Sequence, residues 1–310
     1  MNSMARYLVL VNHEKNEYFP EKCACCILKN YYKTENILHR ALRKILLKSQ
    51  SPFIPVLFSH WYNEVKKVDA IILFDTRNMP EIIRWLRKKF PQKRIIAWYW
   101  NSIADSVNPE TYKDVKNIEI WSFDKKDCVK YGYQFNTQFY IPENMTRASI
   151  NDVEHSDIFY VGSDKKRSEA LNDLALVFKK NHISYYYHLV RFKNEPNPYN
   201  FEYHDPLIYP QVIEYIRKSK VIIDLVAEWQ NGITLRPLEG LFFKKKLITN
   251  MKEITGYDFY NPQNIFVLGV DDLSHIKEFV ESPYYVGENY SELINRYSMQ
   301  GWLNNFTLSE

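Results

Sequence analysis

The feature that most constrains this chain is a series of short, wholly apolar runs set between amphipathic helical patterns. Ala70-Ile-Ile-Leu-Phe74 is representative. It lacks the polar alternation of a strand with one wet face, as a parallel strand covered on both faces does. Parallel strands cannot be joined by tight turns, and helices supply the crossovers. In the first half Tyr7–Asn12, Ala70–Phe74, Ile95–Trp100, Ile118–Phe123 and Gln138–Ile141 read as strands, and Glu35–Lys48, Pro80–Phe90 and Lys125–Tyr131 as helices. A polar stretch, Pro142–Ser156, reads as a linker. The alternation then restarts with strands Ile158–Val161, Ser184–Leu189, Val221–Leu225, Lys246–Thr249 and Ile265–Leu268. Helices Lys165–Lys180, Pro210–Lys218, Leu235–Phe243 and Ser274–Glu281 separate them. A length of 310 residues suits two domains. The expected fold class is therefore α/β, with two Rossmann-like, doubly wound domains at 1–150 and 151–310. The last helix is able to pack back on the first domain.

Charge divides along the same line. Residues 1–140 hold 23 basic and 14 acidic side chains, whereas 141–310 hold 18 and 23. A basic first half points to an anionic partner, a membrane surface or an anionic acceptor, or to solvated helix faces. Ile37–Lys48 and Ile82–Phe90 are basic and amphipathic, as are helices that rest on anionic headgroups. Packing on their own sheet is the expected use of their apolar faces, with the charges left in water. No apolar run approaches the roughly 18 residues of a membrane span, and the N-terminus lacks a signal-peptide pattern. The expected location is the cytoplasm, including the cytoplasmic face of the inner membrane. Cys23-Ala-Cys25-Cys26 lacks the C-x2-C spacing of a zinc knuckle and no second ligand pair answers it, so no metal is expected and reduced thiols are.

Three apolar runs end in an acid, at Asp75, Asp124 and Asp224. In an open parallel sheet the strand C-termini border the ligand crevice. An acid there also serves as a helix cap, the reading preferred for Asp124. Residues 219–250 run from buried strand through a loop with Gly232 and Thr234 to a helix carrying Arg236 and Glu239. They end in a second strand closed by Asn250. A loop glycine lets backbone approach a ligand, and the helix N-terminus offers N–H groups to a diphosphate. Arg236 suits a phosphate and Glu239 suits ribose hydroxyls. The alternative for this i,i+3 pair is a plain surface ion pair. Val161-Gly-Ser-Asp-Lys-Lys-Arg167 is a second strand–turn–helix junction, where Gly162, Ser163, Lys166 and Arg167 are candidates for phosphate contact.

The segment Gly232-Ile-Thr-Leu-Arg-Pro-Leu-Glu-Gly240, followed by Lys245-Lys-Leu-Ile-Thr-Asn250, resembles the donor-site signature of GT-B glycosyltransferases of bacterial surface-polysaccharide and lipopolysaccharide synthesis. The resemblance covers the second half well and the first through its layout. It implies an acceptor domain first and a nucleotide-sugar donor domain second, facing a cleft. In such proteins the helix Glu holds the ribose, and the junction matching Gly162–Arg167 lies against the donor phosphates. Arg-Pro-Leu-Glu replaces the longer double-glutamate spacing of many retaining members, which leaves the stereochemical outcome open.

The implied function is transfer of a sugar from a nucleotide sugar to a surface glycan or glycolipid, with no cofactor beyond the donor substrate. An inverting enzyme needs a base from the first half, and His13 and Asp75, each following a strand, are the candidates. A retaining enzyme needs none. No Asp-x-Asp motif stands at a strand end, and Asp271-Asp272 reads as capping. The expected mechanism is metal-independent, with the helix dipole and cationic side chains stabilising the departing diphosphate. A sugar-nucleotide epimerase or hydrolase, a catalytically silent scaffold and an anion- or nucleic-acid-binding protein remain as alternatives. No nucleic-acid-binding module is recognisable, and no nucleic acid partner is expected.

Overall fold

The structure, a computed structural model, describes residues 6–12, 17–33, 36–103, 106–147, 153–193, 196–227 and 232–306. The chain forms two compact units. One comprises Met1–Glu14, Phe19–Thr137 and Trp302–Glu310, the other Lys15–Tyr18 and Gln138–Gly301.

In the first unit, strands β1 (Tyr7–Val11), β2 (Ile27–Asn30), β3 (Ala70–Phe74), β4 (Arg94–Tyr99), β5 (Glu119–Ser122) and β6 (Gln134–Phe135) make one six-stranded sheet in the order β2-β1-β3-β4-β5-β6. Every pairing is parallel. Helices α1 (Ile37–Lys48), α2 (Met79–Lys89) and α3 (Lys125–Tyr131) lie along the chain between strands. All of β1 and β3 is buried, as their unbroken apolar runs require. Asp124 caps α3 by accepting from the amides of Lys126 and Asp127, and Gly132 closes it at φ 70°, where a Cβ is disfavoured. Trp302 and Phe306 complete this core: Trp302 packs against Trp98 at 5.2 Å, and Arg94 donates to the Phe306 carbonyl.

In the second unit, β7 (Ile158–Ser163), β8 (Tyr185–Val190), β9 (Val221–Asp224), β10 (Lys246–Thr249) and β11 (Ile265–Val267) form a parallel five-stranded sheet in the order β11-β10-β9-β7-β8. Helices α4 (Ser168–Lys180), α5 (Tyr209–Lys218), α6 (Arg236–Phe243), α7 (Ile276–Glu281) and α8 (Tyr290–Tyr297) belong to it, and α9 (Met299–Asn304) follows. Both units are thus Rossmann-like α/β layers. In each the first strand has its successors on opposite sides, β2 and β3 flanking β1, β8 and β9 flanking β7. That reversal creates a crevice at the strand C-termini, β1/β3 in one sheet and β7/β9 in the other.

Four sequence expectations need correction. Gln138–Ile141 forms no strand; Tyr140 makes an isolated bridge to Ser298 instead. The stretch read as a linker contains a 3-10 turn at Pro142–Thr146, where the buried Asn144 donates to the Tyr18 carbonyl. The short β2 and β6, and α8, were not expected. Finally, of the apolar stripe of α1 read as Leu38, Leu42, Ile45 and Leu46, only Leu46 packs against the core of its unit. Ile37, Leu38 and Ile45 are 65–80% exposed, while Leu47 on the opposite side of the helix is buried.

Candidate functional site

The β7/β9 crevice of the second unit gathers most of the residues singled out in the sequence. β7 ends in Gly162-Ser163, and the turn after it holds Lys165 at φ 41° and Lys166 at φ 66°. Left-handed backbone at two successive lysines costs about 1–2 kcal/mol each. The turn brings Arg167 back over the strand ends. There its Nε donates to the Leu225 carbonyl (2.6 Å) and its Nη1 to the Ser163 carbonyl (3.0 Å). Arg167 therefore bridges β7 and the end of β9 across the crevice. The buried Asp164 accepts from the amides of Arg167 and Ser168 and from the Tyr203 hydroxyl, so a carboxylate already occupies the start of α4. Lys166 is exposed at the turn.

Asp224 ends β9 and is 4% exposed. Burial pushes its carboxyl up to about 6, against a hydrogen bond from Thr234 and the charges of Arg236 and Arg167, and with Glu239 adding to the rise. Among the described residues its Oδ2 has no hydrogen-bond partner. Thr234 also accepts from the Arg236 amide, fixing the entry to α6. Arg236 and Glu239, one turn apart on α6, form an ion pair whose side chains are 20% and 0% exposed, so this is not the surface pair that the spacing also allowed. The Tyr209 hydroxyl donates to the other Glu239 oxygen (2.9 Å), and the Tyr140 hydroxyl is 3.0 Å from that of Tyr209. Burial opposes the charge on Arg236, but Glu239 outweighs it and the guanidinium is held more firmly protonated than usual.

Two supports position this cluster. Asn250, after β10, clamps the Val226 backbone with both ends of its amide, at 2.8 and 3.0 Å. It thereby fixes the segment leaving β9. Gly240 lets α6 close onto the next strand: a Cβ there would lie 3.0 Å from the Lys245 carbonyl. Gly232 is buried at the start of the α6 approach.

In the first unit, Asp75 stands at the C-terminus of β3. Its Oδ2 accepts from Ser106 (2.5 Å) and Asn101 (3.0 Å), and its Oδ1 from the Trp100 amide (3.0 Å). Burial raises its pKa while these donors pull it down. His13 lies outside the described residues. Cys23, Cys25 and Cys26 converge, with Cys23 and Cys25 sulfurs 3.1 Å apart. Asp272 caps the turn after it and Asp271 accepts from the Val267 amide.

A cavity of about 620 Å³ in the second unit lies elsewhere, between Phe266, Phe279, Tyr284 and the acids Asp271, Asp272 and Glu278. No Lys or Arg lines it, which disfavours a diphosphate. Sequence reading flagged Asp224 only as a strand-ending acid and missed Asp164, Tyr209 and Tyr140. For Asp164 the signal was present, an acid directly ahead of the helical pattern that begins at Lys165. For the tyrosines, 69 positions apart, none was.

No protein-family model matches the sequence, and no curated protein does. Solved structures similar to the chain include UDP-N-acetylglucosamine 2-epimerase from Rickettsia bellii, at TM-score 0.49 and 10% identity, covering 98% of this chain and 95% of that one. The lipopolysaccharide outer core galactosyltransferase WaaB is similar at TM-score 0.47 and 10% identity, covering 97% and 98%. The glycotransferase of kitacinnamycin is similar at TM-score 0.46 and 11% identity, covering 97% of each chain.

Proposed function

We propose that this chain is a GT-B glycosyltransferase that moves a sugar from a nucleotide-sugar donor to a surface-glycan or glycolipid acceptor, and that its second Rossmann-like unit binds the donor. One observation carries the reading: two arginines and two buried acids meet at the β7/β9 switch point, where an open parallel sheet takes its ligand. Buried charge is costly, and such clusters mark functional sites. In this reading Arg167 and Arg236, with Gly162, Ser163, Lys166, Gly232 and Thr234, face the diphosphate. Glu239 faces the ribose once Arg236 turns to phosphate, and Asn250 holds the loop. Arg167 and Arg236 stabilise the departing nucleotide diphosphate, so the chemistry is metal-independent and uses no cofactor. His13 or Asp75 takes the acceptor proton if the enzyme inverts.

The reading places the acceptor at an anionic membrane surface on the cytoplasmic side. Among the described residues no helix is long and apolar enough to cross a membrane. α1 instead offers an outward stripe of Leu38, Leu42 and Ile45, beside Arg40, Lys44 and Lys48, and contains no acid. That pairing of exposed apolar and basic side chains suits insertion among anionic headgroups.

The test is to incubate the protein with nucleotide sugars, with and without glycan or glycolipid acceptors, and follow the sugar by mass spectrometry. Transfer that requires acceptor and persists in EDTA is the expected result. Donor turnover without acceptor would replace the reading with an epimerase or hydrolase, and no turnover with any donor would leave a silent scaffold.

A further inference from the structure

Among the described residues, one group of potential metal ligands stands close together: the sulfurs of Cys23, Cys25 and Cys26, all within 4.8 Å of one another. The group lies in the first unit, just ahead of the edge strand β2, and each cysteine is half-buried. Its convergence is not a by-product of extended chain. Adjacent side chains of a strand point to opposite faces, and Cys25 and Cys26 share a side because the backbone bends at residues 24–26. None of the three is in a disulfide. The proposed transferase chemistry makes no use of them.

The chemistry of the donors selects the ligand. Three sulfurs are soft donors and exclude magnesium and calcium, which take oxygen. A metal–sulfur bond of about 2.3 Å sets the sulfurs of a trigonal site about 4 Å apart, a spacing that a cluster within 4.8 Å accommodates by small side-chain rotations. Structural zinc takes four protein ligands, and no described His, Asp or Glu joins this group. We propose that Cys23, Cys25 and Cys26 bind one monovalent copper ion through three thiolates. Binding replaces the thiol protons, which leave to solvent.

The experiment uses the full chain, reduced and anaerobic, titrated with monovalent copper against a chromophoric copper(I) chelator, and in a parallel arm with zinc against a chromophoric zinc chelator. The wild type is expected to withhold one equivalent of copper and to gain thiolate-to-copper charge-transfer absorption. Cys23→Ser, Cys25→Ser and Cys26→Ser each weaken retention at least about tenfold, since each removes one of three bonds, while Cys128→Ser retains it. Circular dichroism and melting of each variant establish that it is folded. Retention unchanged in the folded triple serine variant, no copper withheld by the reduced wild type, or zinc held in preference to copper would each overturn the assignment.

Discussion

Asp224 is held between burial, which favours its neutral acid, and the Thr234 hydroxyl with two guanidiniums, which favour its anion. Burial prevails, and its folded pKa of about 6 exceeds the ordinary aspartate value of 3.8. The native state therefore binds more protons than the unfolded state between those values, so this residue removes stability as pH rises from about 4 to 6. The full effect is on the order of 3 kcal/mol. Replacing Asp224 by Asn should stabilise the second unit increasingly across that window and by a constant amount above it. Melting temperatures of both proteins from pH 4 to 7 measure this, and a difference independent of pH would contradict it. Asp75 presents the complementary case, a carboxyl whose three donors hold the segment after β4. If it is the base, Asp75→Asn lowers kcat by about 10²-fold or more with a modest change in melting; a lower melting temperature with kcat preserved assigns it to structure alone. At this scale the sequence disclosed residue types and not their partners. Arg167 stood out in the sequence as a candidate at a strand–turn–helix junction, but its grip on the Leu225 carbonyl, 58 positions away, depends on a crossover that local patterns do not specify.

Elements with long unbroken apolar runs were legible because both faces of a central parallel strand are buried. β3, β10 and α3 have the bounds read from the sequence. β2 and β6 lie at a sheet edge, are short, and carry little apolar signal. The periodicity of α1 was read correctly, but which way the stripe faces was not, since periodicity defines a face and not its neighbour. The outward stripe has a measurable consequence. The protein should co-sediment with phosphatidylglycerol vesicles and not with neutral phosphatidylcholine. Leu38→Glu with Ile45→Glu should abolish binding, and Arg40→Glu with Lys44→Glu should weaken it by on the order of 1 kcal/mol per charge removed. Equal sedimentation of all three proteins would exclude α1 as the contact.

At the scale of the whole molecule, the first unit is not continuous in sequence, since its core takes Trp302 and Phe306 from the far end of the chain. Trp302→Ala should cost about 3–5 kcal/mol of the first unit's stability, read as an earlier melting step that leaves the second unit's step in place. A single unchanged transition would contradict that division. The tandem of two parallel sheets was legible from alternation alone, because a parallel sheet requires a helical crossover between its strands. The β7/β9 cluster of the second unit is the proposed site for the donor's diphosphate. The most direct measurement is calorimetric titration of the folded wild type, Arg167→Ala and Arg236→Ala with UDP, GDP, CMP, TDP and their sugars. The expected result is that one nucleotide family binds the wild type and that each arginine variant raises Kd at least about tenfold, the loss of one charge-assisted contact. Binding undiminished in both variants, or none by any nucleotide, would contradict it.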